Sequence, residues 1–371
     1  MRRVVIGGAL ALAFVSTTAF AKDYKLGSLH SLTGPYAFVG VPITNGMKLA
    51  TDQINESGAL GPGNKINLVI EDPASDRAQG TSLMTRFGAD PDTLLVFGPS
   101  STLEGLASAP AANAAQLPTM TNGALPKLLE ISSYLFRMLV PTATSQGTLA
   151  EFGIKKGIKQ CAFVTVSDNE GYLAQRNALK ETLAKANVVF VADETPKSTE
   201  SDFSALSTKI AALKPDCVFL NAPAEYMANV IIQLRNAGLP NSAHIFIDTG
   251  GGSPDFLATG GKAVEGVSVL TLFAAPGSTP VAHQFSADFQ KRYGSAPDGW
   301  AALGFAAMHV VVNALKAAGP DVTRDKLRTA LMQTKDQPTV LGAGRITIGQ
   351  DRETRYDLTV LTVKDGKWAT P

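Results

Sequence analysis

The feature that most limits the fold of this chain is an alternation of short apolar runs with longer helical patterns. Residues 93–97 are mostly apolar and are predicted to form a strand, and residues 103–116 follow with an alanine-rich helical pattern. The same order returns at 161–166, which is followed by 172–186. Continuous apolar strands separated by helices are typical of parallel sheets covered on both faces. Two such series, of about 120 residues each, predict two doubly wound α/β (Rossmann-like) lobes.

The charge balance argues against one class of partner. Lys and Arg total 33, Asp and Glu total 32, and the formal charge of the 371-residue chain is +1. A chain of this length is expected to form two domains. It has no basic excess with which to neutralise a phosphate backbone. We therefore do not expect nucleic acid to be its main partner.

The N-terminus has the order of a secretory signal peptide. Arg2-Arg3 gives a short positive region, residues 4–15 are almost continuously apolar, and an Ala-Phe-Ala triplet ends at Ala21. This order is that of a cleavable export signal. The apolar run is too short for a membrane span, which needs about 20 residues. We expect residues 1–21 to be removed after Ala21 and the mature chain to be exported to the periplasm.

The loops beyond the carboxyl ends of the strands are the candidate site, because ligands of open α/β sheets bind there. Ser101 and Thr102 follow the strand that ends at residue 97, at the start of a helix whose N–H groups suit a carboxylate. Ser101 with Glu104 also fits a capping box, in which the Glu104 carboxylate would compete with an anionic ligand. The pattern alone leaves both interpretations open.

Three more strand-end loops carry a carboxylate, at Asp168, Glu225 and Asp248. Any one of them fits a helix cap or a solvated turn better than a ligand contact. Their recurrence at one edge raises the chance that at least one contacts a ligand.

Enzymatic and metal-binding motifs are poorly represented. The four histidines, at 30, 244, 283 and 309, form no His-x3-His pair, and no Gly-x-Ser-x-Gly elbow occurs. We expect no metal, no cofactor and no catalysis. His30 is the one histidine in a strand-end loop, and a structural role is favoured for it. An exported hydrolase that uses His30 with Ser31 or Thr102 is the enzymatic alternative.

Cys161 and Cys217 are the only two cysteines, and each lies near the start of a predicted strand. In an exported chain they could form one disulfide. They could equally be buried thiols that act as small apolar residues. We expect free thiols, because side-by-side parallel strands seldom offer good disulfide geometry.

Several short motifs, taken in order along the chain, resemble those of one family. They lie at residues 32–35, 46–50, 54–60, 71–76, 98–102, 110, 117–118, 233–239 and 265–267. In order and spacing they resemble the periplasmic solute-binding proteins of branched-chain amino acid ABC transporters, of the leucine/isoleucine/valine-binding type. The resemblance covers essentially the whole mature chain.

The resemblance implies the type I periplasmic binding fold, in which a three-crossover hinge joins two lobes and closes them on a ligand. It places residues 22–140 and 273–346 in the N-terminal lobe, and 141–272 and 347–371 in the C-terminal lobe. The implied function is capture of a small solute and its delivery to a membrane permease. The family expectation is a monomer without a cofactor.

The resemblance also implies how the solute is held. Family members bind the ligand carboxylate with backbone and hydroxyl groups of the first lobe; Thr102 matches the hydroxyl, and Asn122 and Gly123 match backbone contacts. Ala124 stands where a second hydroxyl is expected, so one donor is missing. In the second lobe Thr249 aligns with the acidic residue that holds the ammonium group, and Asp248 precedes it by one position.

The walls of the implied site are aromatic. Trp300 matches a wall residue, Tyr172 falls near another, and Phe38 lies beside a further wall position at Val39. Tyr226 lies near Pro223, which stands at a position where family members commonly have an aromatic wall residue.

Two ligands remain open. The first is an apolar, branched-chain type amino acid held by Thr102 and Asp248. The second is an amine-free carboxylate, such as an aromatic acid, packed against Trp300 and Phe38. A ligand-sensing module that acts through a signalling partner instead of a permease is a further alternative.

Overall fold

The computed structural model describes residues 22–275 and 277–371. The predicted signal peptide lies outside these residues. Within them, strands alternate with helices and build two large sheets and one small sheet. The predicted alternation of the two kinds of element is confirmed.

The strands are short and mostly buried. The five residues of the strand Thr93–Phe97 are all buried, as expected where helices cover both faces of a sheet. In chain order the strands are β1 (Asp23–Ser28), β2 (Lys65–Ile70), β3 (Thr93–Phe97), β4 (Thr119–Thr121), β5 (Leu135–Arg137), β6 (Gln160–Thr165), β7 (Val189–Glu194), β8 (Cys217–Asn221), β9 (His244–Ile247), β10 (Ser268–Thr271), β11 (Gln337–Pro338), β12 (Arg345–Ile348), β13 (Thr354–Arg355), β14 (Thr359–Lys364) and β15 (Lys367–Ala369).

The helices follow the strands, and several begin at a capping side chain. Asp76, Ser101 and Asn169 each accept a hydrogen bond from a first-turn N–H. In chain order the helices are α1 (Ala37–Glu56), α2 (Arg77–Ala89), α3 (Thr102–Ala114), α4 (Leu128–Ile131), α5 (Thr142–Lys155), α6 (Glu170–Lys185), α7 (Ser204–Leu213), α8 (Ala224–Asn236), α9 (Pro254–Gly260), α10 (Pro280–Tyr293), α11 (Gly299–Ala318) and α12 (Arg324–Leu331).

The two large sheets differ in one respect. The first is wholly parallel, in the order β2-β1-β3-β4-β5. The second has the order β15-β14-β10-β9-β8-β6-β7; its strands β6 to β10 are parallel, but β14 and β15 add antiparallel pairs at one edge. The expected parallel sheets are therefore confirmed, with an antiparallel addition that was not predicted. The small antiparallel sheet has the order β11-β12-β13.

The chain passes between the two large sheets three times: after β5, after β10 and before β14. Between the second and third passages, α11 packs closely on α1. A Cβ atom on Gly46 would lie 2.0 Å from the carbonyl oxygen of Ala301, so only glycine permits this approach. By length and hydropathy α11 could cross a membrane, but 72% of its apolar window is buried inside the protein. It is therefore a core helix of the first lobe.

The hydrophobic core of the first lobe extends beyond the predicted lobe division at 346/347. Ile348 and Tyr356 pack in the same buried cluster as Phe136 and Trp300. β14, by contrast, pairs with β10 in the second sheet. The lobe boundaries given by the sequence remain predictions.

The expectation of free thiols is wrong, because Cys161 and Cys217 form a disulfide. They lie directly opposite one another on the adjacent parallel strands β6 and β8. Their Cα atoms are 4.6 Å apart, within the range that a disulfide spans. The register of the two strands, which the sequence does not reveal, brings the sulfur atoms together.

Candidate functional site

A cavity lies between the two lobes, at the carboxyl ends of both sheets. We call it the cleft cavity; it holds about 460 Å³ of empty space, counting its open side. The carboxyl ends of parallel strands are where ligands of such sheets bind. The described residues that line it are Tyr36, Phe38, Val39, Ser100, Ser101, Thr102, Asn122, Ala124, Leu139, Asn169, Gly171, Tyr172, Gln175, Asp248, Thr249, Gly250 and Trp300.

Most of the residues that the sequence assigned to ligand binding line this cavity. Among the described residues, His30, Gly123 and Tyr226 were assigned to binding but do not line it. Their roles in binding remain predictions, as do those of the residues that line the cavity. The lining residues predicted from sequence are Phe38, Ser101, Thr102, Asn122, Ala124, Tyr172, Asp248, Thr249 and Trp300.

On the first-lobe wall, Ser101 and Glu104 form the capping box that the sequence left open as the alternative to ligand binding. The Glu104 carboxylate accepts a hydrogen bond from the Ser101 backbone N–H at 3.0 Å and one from the Ser31 hydroxyl at 2.7 Å. The Ser101 hydroxyl in turn accepts from the Glu104 N–H at 3.3 Å. Burial raises the pKa of Glu104, but both of its oxygens have donors. Glu104 therefore serves the fold of this wall.

The next loop of the first lobe uses its backbone donors internally. The N–H of Asn122 donates to Pro99, and the N–H of Gly123 donates to the Thr121 hydroxyl at 3.2 Å. The N–H of Ala124 donates to the Thr102 hydroxyl oxygen at 2.9 Å. The Thr102 hydroxyl, being an acceptor in that bond, keeps its own proton for a ligand.

On the second-lobe wall, Asp248 is a buried carboxylate with one oxygen left over. It is 1% exposed. Its Oδ1 accepts from the Gly250 N–H at 2.8 Å, but its Oδ2 has no hydrogen-bond partner in the protein. Burial raises the pKa of Asp248 to about 7. A buried carboxylate without a full set of donors is costly, so this position favours a cationic partner.

The two lobes touch across the cavity. Asn169 donates a hydrogen bond from Nδ2 to the Tyr36 hydroxyl oxygen at 2.7 Å. A Cβ atom on Gly171 would lie 2.5 Å from Oγ1 of Thr102, which places the starts of α3 and α6 against each other. Phe38 packs against the cores of both lobes. These contacts define a closed arrangement of the lobes.

Two further polar atoms of the wall lack a partner in the protein. Trp300 presents an indole N–H, and Asn122 presents its side-chain oxygen. With the Thr102 hydroxyl and Asp248, these groups place donors and acceptors at separate points of the wall. Among the described lining residues, Asp248 is the one ionisable carboxylate, and none is Lys or Arg.

His30 lies behind the cavity and is held in its neutral form. Burial lowers its pKa to about 3. Its Nδ1 lies 3.1 Å from the Ser28 hydroxyl, and its Nε2 lies 3.2 Å from the amide nitrogen of Asn122. Because the ring is neutral, Nε2 accepts from Asn122 and thereby fixes that amide in the cavity wall. Ser31 donates its hydroxyl to Glu104, not to His30.

Tyr226 lines a wider opening at the mouth of the cleft, which shares Phe38 and Tyr172 with the cleft cavity. Its ring packs on Phe203 with the centroids 4.7 Å apart, and its hydroxyl donates to the carbonyl of Lys197 at 3.2 Å. It is thus placed away from the cleft cavity.

One group of side chains in the described part of the chain has the composition of a metal site. It consists of Cys161, Asp216 and Cys217. The two sulfurs are joined to each other, and the Asp216 carboxylate accepts from the N–H groups of Lys159 and Gln160. These atoms are therefore already engaged and do not offer a metal-ligand set.

Sequence reasoning missed several residues that line the cavity, among them Tyr36, Leu139, Asn169 and Gln175. Gln175 lies one helical turn beyond Tyr172 on α6, so helical spacing could have found it. Asn169 is the N-cap of the same helix and was read as part of a strand-end loop. Leu139 lies in the first crossover, where no periodicity gives a signal.

Two α/β lobes joined by three crossings, with a cavity between their strand ends, define a hinged binding protein. Residues 23–367 match the sequence model of the family described as periplasmic binding protein, and the chain belongs to that family. It is a solute-binding protein of the ABC-transporter type. The Leu/Ile/Val-binding protein BraC3 of Rhizobium johnstonii is 26% identical over 366 residues, which span 97% of this chain and 96% of that relative.

Solved structures share the fold. The substrate-binding protein LivJ of Streptococcus pneumoniae, in complex with isoleucine, has a TM-score of 0.85 at 22% identity and covers 94% of this chain and 98% of its own. A solute-binding protein of an ABC transporter from Rhodopseudomonas palustris BisB5, in complex with 3,4-dihydroxy benzoic acid, has a TM-score of 0.82 at 25% identity and covers 93% and 95%. The same architecture thus holds two different kinds of carboxylic acid.

Proposed function

We propose that this protein captures an amino acid in the cleft cavity and delivers it to an ABC permease. The observation that carries the proposal is the free oxygen of Asp248. A ligand ammonium group at this point would supply the cation that the buried carboxylate lacks. Relatives named for binding leucine, isoleucine and valine support the same class of solute.

The ligand carboxylate would lie against the first-lobe wall. Thr102 has a hydroxyl proton to donate, and it is the first residue of α3. α6 begins on the opposite wall at Glu170, next to the lining residue Gly171. The N-terminal ends of both helices therefore point a positive dipole end at this region, which favours an anion. Because Ala124 lacks a hydroxyl, the carboxylate end of the proposed site has one donor fewer, but the Thr102 hydroxyl and the two helix ends are still there.

Delivery requires that binding changes the shape of the protein. The hydrogen bond between Tyr36 and Asn169 joins the lobes only when the cleft is closed. A solute that contacts both walls would stabilise that closed form, which a permease could distinguish from the open one. We propose a monomer exported to the periplasm after cleavage at Ala21, acting without catalysis.

An amine-free carboxylate, such as an aromatic acid, is the second candidate. With a pKa of about 7, Asp248 can carry a proton near neutral pH and needs no cation in that state. Phe38, Tyr172 and Trp300 offer aromatic surface for a ring. The relative that binds 3,4-dihydroxy benzoic acid supports this alternative.

A thermal-shift screen of mature protein, stripped of ligand by unfolding and refolding, tests the proposal. The panel holds the twenty amino acids, aromatic acids and short aliphatic acids. A ligand at a hundred times its dissociation constant adds about 2.7 kcal/mol of stability, which raises the melting temperature measurably. Shifts with amino acids are expected; shifts with amine-free acids alone would favour the second candidate.

An uptake assay with the solute found in the screen distinguishes a transporter component from a sensor. Cells that lack this protein should lose uptake of the radiolabelled solute found in the screen. If uptake is unchanged but a response to the solute is lost, the sensing alternative holds.

A further inference from the structure

The cleft cavity continues into a second, deeper space at the hinge. This space, the hinge cavity, lies where the three crossovers meet: Val140 and Thr142 come from the first, Leu272 from the second and Leu358 from the third. The hinge cavity is narrow: the centre of a water-sized group fits within only about 20 Å³ of it. The far end of a solute in the cleft cavity can therefore enter it only as a small group.

The two cavities meet at a junction formed by four shared residues. Ala124, Leu139, Gln175 and Thr249 line both cavities. Ala124 is the smallest of the four, and its N–H is bonded to Thr102 at the carboxylate end of the proposed site. Thr249 follows Asp248 directly. The hinge cavity thus opens beside both groups that would hold the main chain of an amino acid.

A buried cation with unused donors lines the hinge cavity. Arg137 is fully buried. Its Nη2 donates long hydrogen bonds of 3.3 Å to the carbonyl of Val140 and 3.4 Å to the hydroxyl of Thr142. Its Nη1 has no partner in the protein. Among the described residues that line the two cavities, Arg137 is the one cationic side chain.

A buried acceptor without a partner lines the same space. Gln146, on α5, is 1% exposed, and its side-chain oxygen has no hydrogen-bond partner in the protein. A buried donor or acceptor that is left unpaired is unfavourable. An unused donor and an unused acceptor in one small cavity are together complementary to a group that both accepts and donates.

The charge of Arg137 is already balanced. Glu353 lies with Oε2 3.3 Å from its Nε, in a buried ion pair. A second carboxylate in this space would leave one negative charge uncompensated in a dry environment, which is unfavourable. A neutral group can accept from Arg137 without that cost.

From these contacts we infer that the hinge cavity binds a primary carboxamide at the far end of the solute. The amide oxygen accepts from Arg137, and the amide nitrogen donates to the side-chain oxygen of Gln146. This inference rests on the proposed function for the main-chain end of the ligand. It changes the expected side chain from an apolar one to one of the glutamine or asparagine kind.

Amino acids of matched chain length test the inference. Isothermal titration of the ligand-free protein with glutamine, glutamate and norvaline compares an amide, a carboxylate and an alkyl end. Glutamine is expected to bind at least about tenfold more tightly than norvaline, because norvaline leaves the buried polar atoms unpaired. Equal affinities of the two, or tighter binding of glutamate than of glutamine, would overturn the inference.

Two variants locate the effect. Gln146→Leu removes the acceptor, and Arg137→Met with Glu353→Leu replaces the whole ion pair by apolar side chains, a change that folded proteins often tolerate. Each is expected to reduce the preference for glutamine over norvaline to less than about threefold, with norvaline affinity as the control. A Gln146→Leu protein that keeps the full preference would overturn the assignment to this cavity.

An amine-free series separates this inference from the proposed function. 4-Carbamoylbenzoate and 4-methylbenzoate differ at the far end only. If amino acids do not bind but the carbamoyl acid binds at least about tenfold more tightly than the methyl acid, the proposed function fails and the hinge cavity assignment stands. If amino acids bind without regard to the far end, the proposed function stands and the assignment fails.

Discussion

The two walls of the cleft each bury a carboxylate, and the two carboxylates differ in the number of hydrogen-bond donors they receive. Glu104 on the first-lobe wall has a donor on each oxygen, from Ser31 and from the backbone of Ser101. Asp248 on the second-lobe wall has a donor on one oxygen and none on the other. Burial raises the pKa of both. The hydrogen bonding of the first is complete within the protein, whereas the second keeps one oxygen without a donor.

Under the proposed function, this difference separates a buried carboxylate that serves the fold from one that serves the ligand. Both residues begin as acidic side chains near a strand end, and both could be helix or turn caps. What separates them is the number of donors that the tertiary structure brings to each. We therefore expect changes at Asp248 to act on binding and changes at Glu104 to act on stability.

The largest effect is expected from Asp248→Asn. The amide keeps the acceptor for the Gly250 N–H but removes the charge that we propose pairs with the ligand ammonium. Truncating one partner of a buried charge pair typically costs 2–5 kcal/mol, so amino-acid affinity should fall about a hundredfold or more. Titration calorimetry measures the loss.

The melting temperature of the empty Asp248→Asn protein serves as the control for folding. It should not fall, because an uncompensated buried charge has been removed. Unchanged amino-acid binding in this variant would show that no ammonium group lies at Asp248.

Glu104→Ala should lower the stability of the protein. It leaves the Ser31 hydroxyl and the Ser101 N–H without their acceptor in a buried position. The free energy of unfolding should drop by about 2 kcal/mol, as measured by urea denaturation of the ligand-free protein. Glu104→Gln keeps an acceptor at nearly the same place and should lose less.

The Glu104 variants also test the division of roles between the two walls. If Glu104→Gln weakened ligand binding as strongly as Asp248→Asn does, the assignment of Glu104 to the fold would be wrong.

The pH dependence of binding distinguishes the two candidate ligands. An amino acid needs ionised Asp248, whose pKa in the empty cavity is about 7. Its affinity should therefore fall as pH is lowered, approaching about tenfold per pH unit below the pKa. An amine-free acid prefers the protonated form, so its affinity should fall as pH rises. Calorimetry between pH 5 and pH 7.5, repeated with Asp248→Asn as a flat reference, separates the two cases.

The same raised pKa has a signed effect on stability. The folded protein holds the Asp248 proton up to about pH 7, whereas the unfolded chain releases it near pH 4. In this window the folded state binds more protons than the unfolded state, so the contribution of Asp248 to stability declines as pH rises. Thermal melts of wild type and Asp248→Asn across this range should diverge, with the wild type losing more.

The sequence predicted the fold well because the relevant signal is local. Apolar runs such as residues 93–97 became buried strands, and Ser101 with Glu104 became the capping box that their spacing allowed. The pairing of Cys161 with Cys217 was missed, because it depends on the register between two strands that are distant in sequence.

The site could be predicted only in part, because similar strand-end acids differ only in tertiary surroundings. Asp168 is exposed and accepts hydrogen bonds from the N–H and the hydroxyl of Ser198. Asp248 is enclosed, and Phe38, reaching across from the other lobe, lies against the adjacent Gly250. No spacing rule distinguishes the two before the lobes are brought together. Arg137 carried no signal at all, since it ends a strand without belonging to a motif.

The smallest effect is expected where the two walls meet directly. Tyr36→Phe removes the acceptor for Asn169 that joins the closed lobes, while the ring of residue 36 stays in the wall. A single hydrogen bond contributes about 0.5–1.5 kcal/mol, so affinity should fall about threefold to tenfold. Because the bond exists only in the closed form, the loss should appear as faster dissociation of the ligand in stopped-flow fluorescence, with association little changed. Asn169→Ala also removes the cap acceptor for the Gly171 N–H. The loss it causes should therefore be smaller in the Tyr36→Phe background than in the wild type; equal losses in both backgrounds would mean that the two residues act separately and that other contacts hold the lobes closed.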